Sequence, residues 1–218
     1  MGILNVTPDS FSDGGRHSDP DAAFAMAERM ASEGADIIDI GGESTRPGWE
    51  PVSVEEELSR VVPAVKRISS SLDVPISVDT MKPEVARAAM EAGASIVNDI
   101  NGLRDREMMA VVRETDAAAV VMHMRGAPSE MHAEVGESAY GDVVADVMWY
   151  LNGRIEAAEA DGIRRERLIM DPGLGFGKTF QQNTELVRRC REFRCLHAPV
   201  LIGASRKRFI GQLTGADA

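Results

Sequence analysis

One regular beat constrains this chain more than any other feature. Short apolar runs rich in β-branched residues recur at Met1–Leu4, Ile37–Ile40, Ile76–Val78, Ser95–Val97, Ala118–Met122, Leu168–Met170 and Val200–Ile202. They do not alternate polar with apolar residues, which is the pattern of strands buried on both faces. Amphipathic stretches lie between them, and the spacing predicts helices over Pro20–Glu33, Val54–Leu72, Pro83–Ala92, Glu107–Thr115, Gly141–Asp161 and Thr184–Phe193, with another starting at Arg206. Pro83 at a first-turn position and the capping box Ser53-x-x-Glu56 mark two helix starts. Gly34, Gly93 and Gly162 each stand at a helix stop before the next strand. Strict alternation of strand and helix implies parallel strands joined by right-handed crossovers.

An open doubly wound sheet and a closed barrel both satisfy that alternation. The residues at the strand ends favour one of them. Polar groups or glycines close nearly every strand: Asn5, Gly41-Gly42-Glu43, Asp79, Asn98-Asp99, His123, Asp171, and Gly203 with Ser205. An open sheet concentrates its site at one switch point, whereas a barrel collects contributions from most of its strands. The expected fold is therefore α/β, a TIM (β/α)8 barrel. The six intervals from Asn5 to Gly203 average 33 residues, against roughly 31 per unit in a typical barrel. Seven strands are visible and Met1 falls inside the first. The expectation is one barrel domain over residues 1–218, about seven βα units, with the eighth unit beyond Ala218 and the chain cut at both ends.

Composition narrows the function. Hydrophobic residues make up 44% and charged residues 27% of the 218, ordinary globular values that exclude disorder and collagen. No apolar run approaches the roughly 18 residues of a membrane span, and no basic n-region opens the chain. A cytoplasmic protein with no membrane partner is expected. The net charge is −11, and residues 1–109 hold 20 Asp and Glu against 10 Lys and Arg. Such a chain suits no nucleic acid partner, while a small anion depends only on local donors. Cys190 and Cys195 form neither a zinc knuckle nor a redox pair and read as reduced thiols. His17, His123, His132 and His197 have no metal-ligand spacing.

The strand ends carry chemistry. Asn5 opens the polar loop Asn5–Gly15 and can offer an oxygen to Mg²⁺ or a donor to phosphate, although such a loop also reads as a solvated turn. Gly41–Gly48 sets Ser44, Thr45 and Arg46 between glycines, a phosphate-binding set or an exposed loop. Asp79, Asn98, Asp99 and Asp171 would be poorly solvated in a barrel mouth without a ligand rich in N–H donors, such as the guanidine-like edge of a pterin or guanine. Helix capping accounts equally well for Asp79-Thr80 taken alone. Gly173-Leu174-Gly175-Phe176-Gly177-Lys178 lacks the Walker ending, and its glycines would let the backbone approach a flat ring beside Phe176. Arg206-Lys207-Arg208 is a basic run at a strand end, either a solvated face or a contact for a ring oxygen or an anion.

Taken together the motifs resemble the dihydropteroate synthase family. Gly2–Gly15 and Gly42–Gly48 are similar to its two signature loops. Val78-Asp79-Thr80, Asn98-Asp99, Met122-His123-Met124, Asp171–Lys178 and Ser205-Arg206-Lys207 follow in the family's order. The resemblance implies a TIM barrel joining p-aminobenzoate to 6-hydroxymethyl-7,8-dihydropterin pyrophosphate, with release of pyrophosphate. It implies that Asp79, Asn98, Asp171 and Lys207 hold the pterin, with Met122, Phe176 and Gly203 lining its slot. Asn5 would bind Mg²⁺ and pyrophosphate. Asp13, Thr45 and Arg46 would complete the site from the two loops, with Asp13, Arg46, Asp171 and Lys207 as the catalytic set. Phe11 and Pro47 would contact p-aminobenzoate and the sulfonamides that mimic it, and Ser205 would serve the same p-aminobenzoate and pyrophosphate region. A homodimer is implied for the full-length form. The family's Arg-x-His element at the eighth strand lies outside this sequence, so a non-catalytic or weakly active pterin-binding paralogue or fragment is the alternative. A pterin-dependent methyl transferase would require a corrinoid partner, for which the Thr45-Arg46 loop makes no provision.

Overall fold

The computed structural model describes residues 1–7, 20–43, 51–126 and 136–215. They fall into two compact units, Met1–Asp99 with Arg106–Ala119, and Ile100–Asp105 with Val120–Ala218.

The first unit is built from β1 (Gly2–Asn5), α1 (Pro20–Ser32), β2 (Ile38–Gly41), α2 (Val54–Ser69), β3 (Ile76–Asp79), α3 (Pro83–Glu91), β4 (Ile96–Asp99) and α4 (Arg106–Thr115). Its strands pair in parallel and in chain order. They are short because each is apolar only as far as its polar end, and Ile38, Ile40, Ile76, Val78 and Val97 are buried. The helices cover them with one apolar face each. In α2 that face is Glu57, Val61, Ala64, Val65 and Ile68, at the three- and four-residue spacing of a helix stripe. Ser53 caps α2 by accepting the Glu56 N–H at 3.2 Å.

β5 (Ala118–Met122) begins in the first unit, where the Ala118 N–H donates to Ser95 O at 3.0 Å. In the second unit it is followed by α5 (Val143–Ala160), β6 (Leu168–Asp171), α6 (Phe180–Arg188) and α7 (Arg208–Thr214). The His123 N–H just past β5 donates to Asp171 O at 2.8 Å. Asp142 caps α5 through bonds from Val144 N (2.9 Å) and Ala145 N (3.1 Å). Each of the six strands is followed by a helix, and strands neighbour one another in chain order. This is the repeating βα unit of a TIM barrel, as the strand beat implied.

Three expectations need correction. The seventh strand over Val200–Ile202 is a single parallel bridge of Val200 to Met170. Only the Met170 N–H to Pro199 O and Leu201 N–H to Met170 O bonds tie it to β6, too short a ladder for a strand. The helix expected over Thr184–Phe193 starts earlier, at Phe180, because Thr179 and Gln182 form a reciprocal capping box. It ends at Arg188 and gives way to a 3-10 helix over Cys190–Leu196, which carries both free cysteines. Likewise, the last helix opens at Arg208, with Lys207 in the capping position.

Candidate functional site

The first unit places a row of functional groups at its strand ends. Parallel register sets Asn5 beside Gly41, Gly41 beside Asp79, and Asp79 beside Asn98. Residues in register on adjacent strands face the same way, so three of the expected site residues stand on one side. Gly41 leaves a gap among them. A Cβ there would lie 3.6 Å from both Asn5 Oδ1 and Asp79 Oδ2.

Beneath this row lies Asp39, two residues earlier on β2. Asn98 Nδ2 donates to Asp39 Oδ2 at 3.0 Å, which leaves the Asn98 carbonyl oxygen directed elsewhere. Burial pushes the Asp39 carboxyl above its ordinary range, opposed by the Ser77 hydroxyl and the Asn98 amide. Asp79 is raised further. Part of the residue reaches the surface, yet desolvation of its carboxyl and the negative charges of Asp39, Glu57, Asp99 and Glu43 all favour the protonated form. Capping does not explain Asp79, because α3 starts at Pro83 behind Lys82 and Thr80 Oγ1 accepts the Lys82 N–H at 3.1 Å. Lys82 Nζ instead joins two acids, Glu43 and Glu57, the latter at 2.5 Å. Burial pulls the Lys82 pKa down, but the bonds to both carboxylates prevail and raise it. Burial likewise raises Glu43 against the pull of Lys82.

The second unit gathers Met122, Asp171, Phe176, Gly203 and Lys207. Asp171 ends β6 and is buried. Its Oδ1 accepts the Gly173 N–H at 2.7 Å, while its Oδ2 lies 3.9 Å from where a Cβ on Gly203 would stand. Burial raises its pKa to about 6, with the Gly173 N–H, Lys178 and Lys207 resisting. Gly173, Gly175 and Gly177 are all left-handed, with φ of 67°, 81° and 58°, a conformation costly to other residues. A Cβ on Gly173 would meet His123 O at 2.0 Å and Met122 Cγ at 3.2 Å. Gly173 is thus required by the loop's own path against the end of β5. The Lys207 ammonium sits 4.1 Å from the centre of the Phe176 ring, a cation–π contact that fixes both groups.

His123 is buried with its ring edge-on to Tyr150, centroids 4.9 Å apart. Burial and the nearby Lys178 charge lower its pKa to about 2, so it is neutral at physiological pH. Ser205 is exposed in the turn before α7. Phe11, Asp13, Thr45, Arg46 and Pro47 lie outside the described residues. No group of three or more His, Cys, Asp or Glu suited to a metal occurs among the described residues, and none of their helices is long and apolar enough to cross a membrane.

Several participants escaped the sequence reading. Asp39 interrupts the apolar run Ile38-Asp39-Ile40, and that interruption was the signal. Glu57 falls four residues before Val61 on the apolar stripe of α2, which also marks it. Lys178 ends the glycine run without any pattern to show that it turns inward. Nothing in the sequence pairs Lys82 with two acids from elsewhere in the chain.

The chain matches the family model described as pterin binding enzyme over residues 1–218. It is 49% identical over 213 residues to the dihydropteroate synthase of Escherichia coli (strain K12), covering 98% of this chain and 74% of that one. Among solved structures it is similar to the Xanthomonas albilineans dihydropteroate synthase with 4-aminobenzoic acid, at TM-score 0.91 and 50% identity, covering all of this chain and 77% of the other. It is also similar to the Yersinia pestis dihydropteroate synthase with a sulfonamide drug complex, at TM-score 0.91 and 44% identity, covering 100% and 78%.

Proposed function

The chain belongs to the pterin binding enzyme family, among its dihydropteroate synthases, and from that premise we propose how its own residues serve the reaction. p-Aminobenzoate condenses with 6-hydroxymethyl-7,8-dihydropterin pyrophosphate. The aryl amine nitrogen bonds to the pterin methylene carbon, the C–O bond to pyrophosphate breaks, and the pyrophosphate leaves with the electron pair. The amine then gives up a proton. An aryl amine is already nucleophilic, so stabilising charge in the transition state matters more than a strong base.

The observation that carries this reading is the half-committed carboxylate of Asp171. One oxygen is bonded to the Gly173 N–H and the other faces Gly203, which has no side chain to fill the space. At neutral pH, above its pKa of about 6, Asp171 is mainly ionised. It accepts a pterin N–H and stabilises positive charge that develops on the ring as the C–O bond stretches. Lys207, held over Phe176, donates to a ring acceptor, while Met122 and Phe176 supply apolar surface. Asp79, whose burial and acidic neighbours oppose ionisation unless N–H donors reach its carboxyl, and Asn98, through its carbonyl oxygen, are assigned to pterin N–H groups. Closure around the ring would keep water from competing for the electrophilic carbon.

For Mg²⁺ the residues fit a single protein ligand. Asn5 Oδ1 borders the gap at Gly41, and Mg²⁺ commonly keeps water and substrate phosphates as its other ligands. When bound there, the ion would neutralise the charge gathering on the departing pyrophosphate. Phe11, Asp13, Thr45, Arg46, Pro47 and Ser205 keep the roles implied by their motifs, as do the homodimer and the cytoplasmic location. Sulfonamides, as p-aminobenzoate mimics, are expected to inhibit.

Pyrophosphate release from the pterin pyrophosphate, Mg²⁺ and p-aminobenzoate tests this. The wild-type chain releases it and Lys207→Ala loses most of the rate. Equal release from both would refute the proposed roles, and pterin binding without release would favour the non-catalytic alternative.

A further inference from the structure

Lys178 is 8% exposed, yet it makes no ion pair among the described residues. Its Nζ donates instead to three backbone carbonyls: Gly173 O at 2.8 Å, Phe176 O at 3.0 Å and His123 O at 3.4 Å. All three ammonium donors are thereby used. Burying an unpaired cation is expensive, and Asp171 offsets part of that cost through its charge. The carbonyls joined in this way belong to the end of β5 and to both ends of the glycine-rich loop.

A second buried side chain completes the arrangement. Asn183 of α6, 3% exposed, accepts the Gly175 N–H at 2.7 Å and donates to Lys178 O at 3.1 Å and Thr179 O at 2.8 Å. The loop needs this help. Three of its residues are left-handed glycines, which have the most conformational freedom to lose on ordering. What the loop holds is chemical: Gly175 lies against the Lys207 stem, where a Cβ would be 3.1 Å from Lys207 Cδ, and Phe176 lies under the Lys207 ammonium.

We infer that Lys178, assisted by Asn183, is a positioning residue for pterin binding: it clamps the 173–177 loop so that Gly175 and Phe176 hold Lys207 within electrostatic reach of Asp171. This rests on the pterin reading above. Lys178 touches no substrate and acts through the loop alone.

The test is binding of 6-hydroxymethylpterin, followed by its fluorescence, together with the KM for p-aminobenzoate. Lys178→Met is expected to raise the pterin Kd roughly 30-fold, less than the roughly 100-fold that a misplacement of about an ångström can cost a reaction rate. The p-aminobenzoate KM should stay within about twofold. A merely structural lysine would lower the folded, active fraction and kcat while leaving the Kd of the surviving molecules alone. Asn183→Ala, which frees only the Gly175 end, should raise the Kd about fivefold and provides the decisive result if Lys178→Met fails to fold. Folded variants that bind the pterin within twofold of wild type overturn the inference. A wild-type chain that binds no pterin would instead overturn the reading on which it rests.

Discussion

Gly173→Ala isolates the geometry around Asp171. Its φ of 67° puts an L-residue at a cost of about 1–2 kcal/mol. The new methyl would stand 2.0 Å from His123 O, a contact no structure tolerates. That carbonyl is not free to yield, since the His123 N–H is bonded to Asp171 O at 2.8 Å and the oxygen itself receives Lys178. The loop must therefore move and release the 2.7 Å bond from the Gly173 N–H to Asp171 Oδ1. A bond to a buried charged group is worth about 1.5–3 kcal/mol, so the total loss is about 2.5–5 kcal/mol. In a chain of 218 residues that lowers Tm by about 5–20 °C. Urea denaturation followed by circular dichroism reads the loss directly. Gly153→Ala is the control: that glycine lies in α5 with nothing within 4 Å of its added Cβ, and the change should stabilise by up to about 1 kcal/mol. A Gly173→Ala loss under 1 kcal/mol would refute the argument.

Other perturbations probe other parts. Lys82→Met leaves buried Glu57 and Glu43 without their shared cation and should cost about 3–5 kcal/mol at neutral pH; a neutral result by chemical denaturation would show that the acids were never held by it. For Asp171, the folded pKa of about 6 stands above the ordinary 3.8 of an exposed aspartate. Ionising it in the fold therefore costs nothing below about pH 4, and the cost grows up to about 3 kcal/mol as pH rises through 6. Asp171→Asn should accordingly gain stability relative to wild type between pH 4 and pH 8 while losing pterin affinity, and a gain independent of pH would contradict this. His123, with its pKa near 2, should show neutral imidazole NMR shifts throughout pH 5–8. A midpoint inside that range would mean that the ring is solvated.

The fold was largely legible because burial on both faces forces continuous apolar runs, and those runs set the strands from β1 to β6. The failures have local causes. Val200–Ile202 has the right residues but only Met170 to ladder against, and pairing, unlike propensity, is not written in the segment itself. The start of α6 lies ahead of its apolar stripe because Thr179 and Gln182 set it through a capping box, which apolar spacing does not report. At the site, Asn5, Asp79, Asn98 and Asp171 were legible as polar residues closing apolar strands. The glycines of 173–177 are legible as a glycine run, but the close approach of Gly173 to His123 O joins residues fifty positions apart and no local pattern shows it. Lys82 and Lys178 look like surface lysines in sequence. Only the fold shows that one joins two acids and the other three carbonyls.

Condensation and loss of pyrophosphate occur in one reaction, so both products are counted together: labelled p-aminobenzoate and dihydropterin pyrophosphate are supplied with Mg²⁺, and 7,8-dihydropteroate and pyrophosphate are measured in the same samples. One dihydropteroate is expected per pyrophosphate, both suppressed as a sulfonamide competes with p-aminobenzoate. Pyrophosphate released without dihydropteroate, or pterin bound with neither product formed, would rule the coupled condensation out.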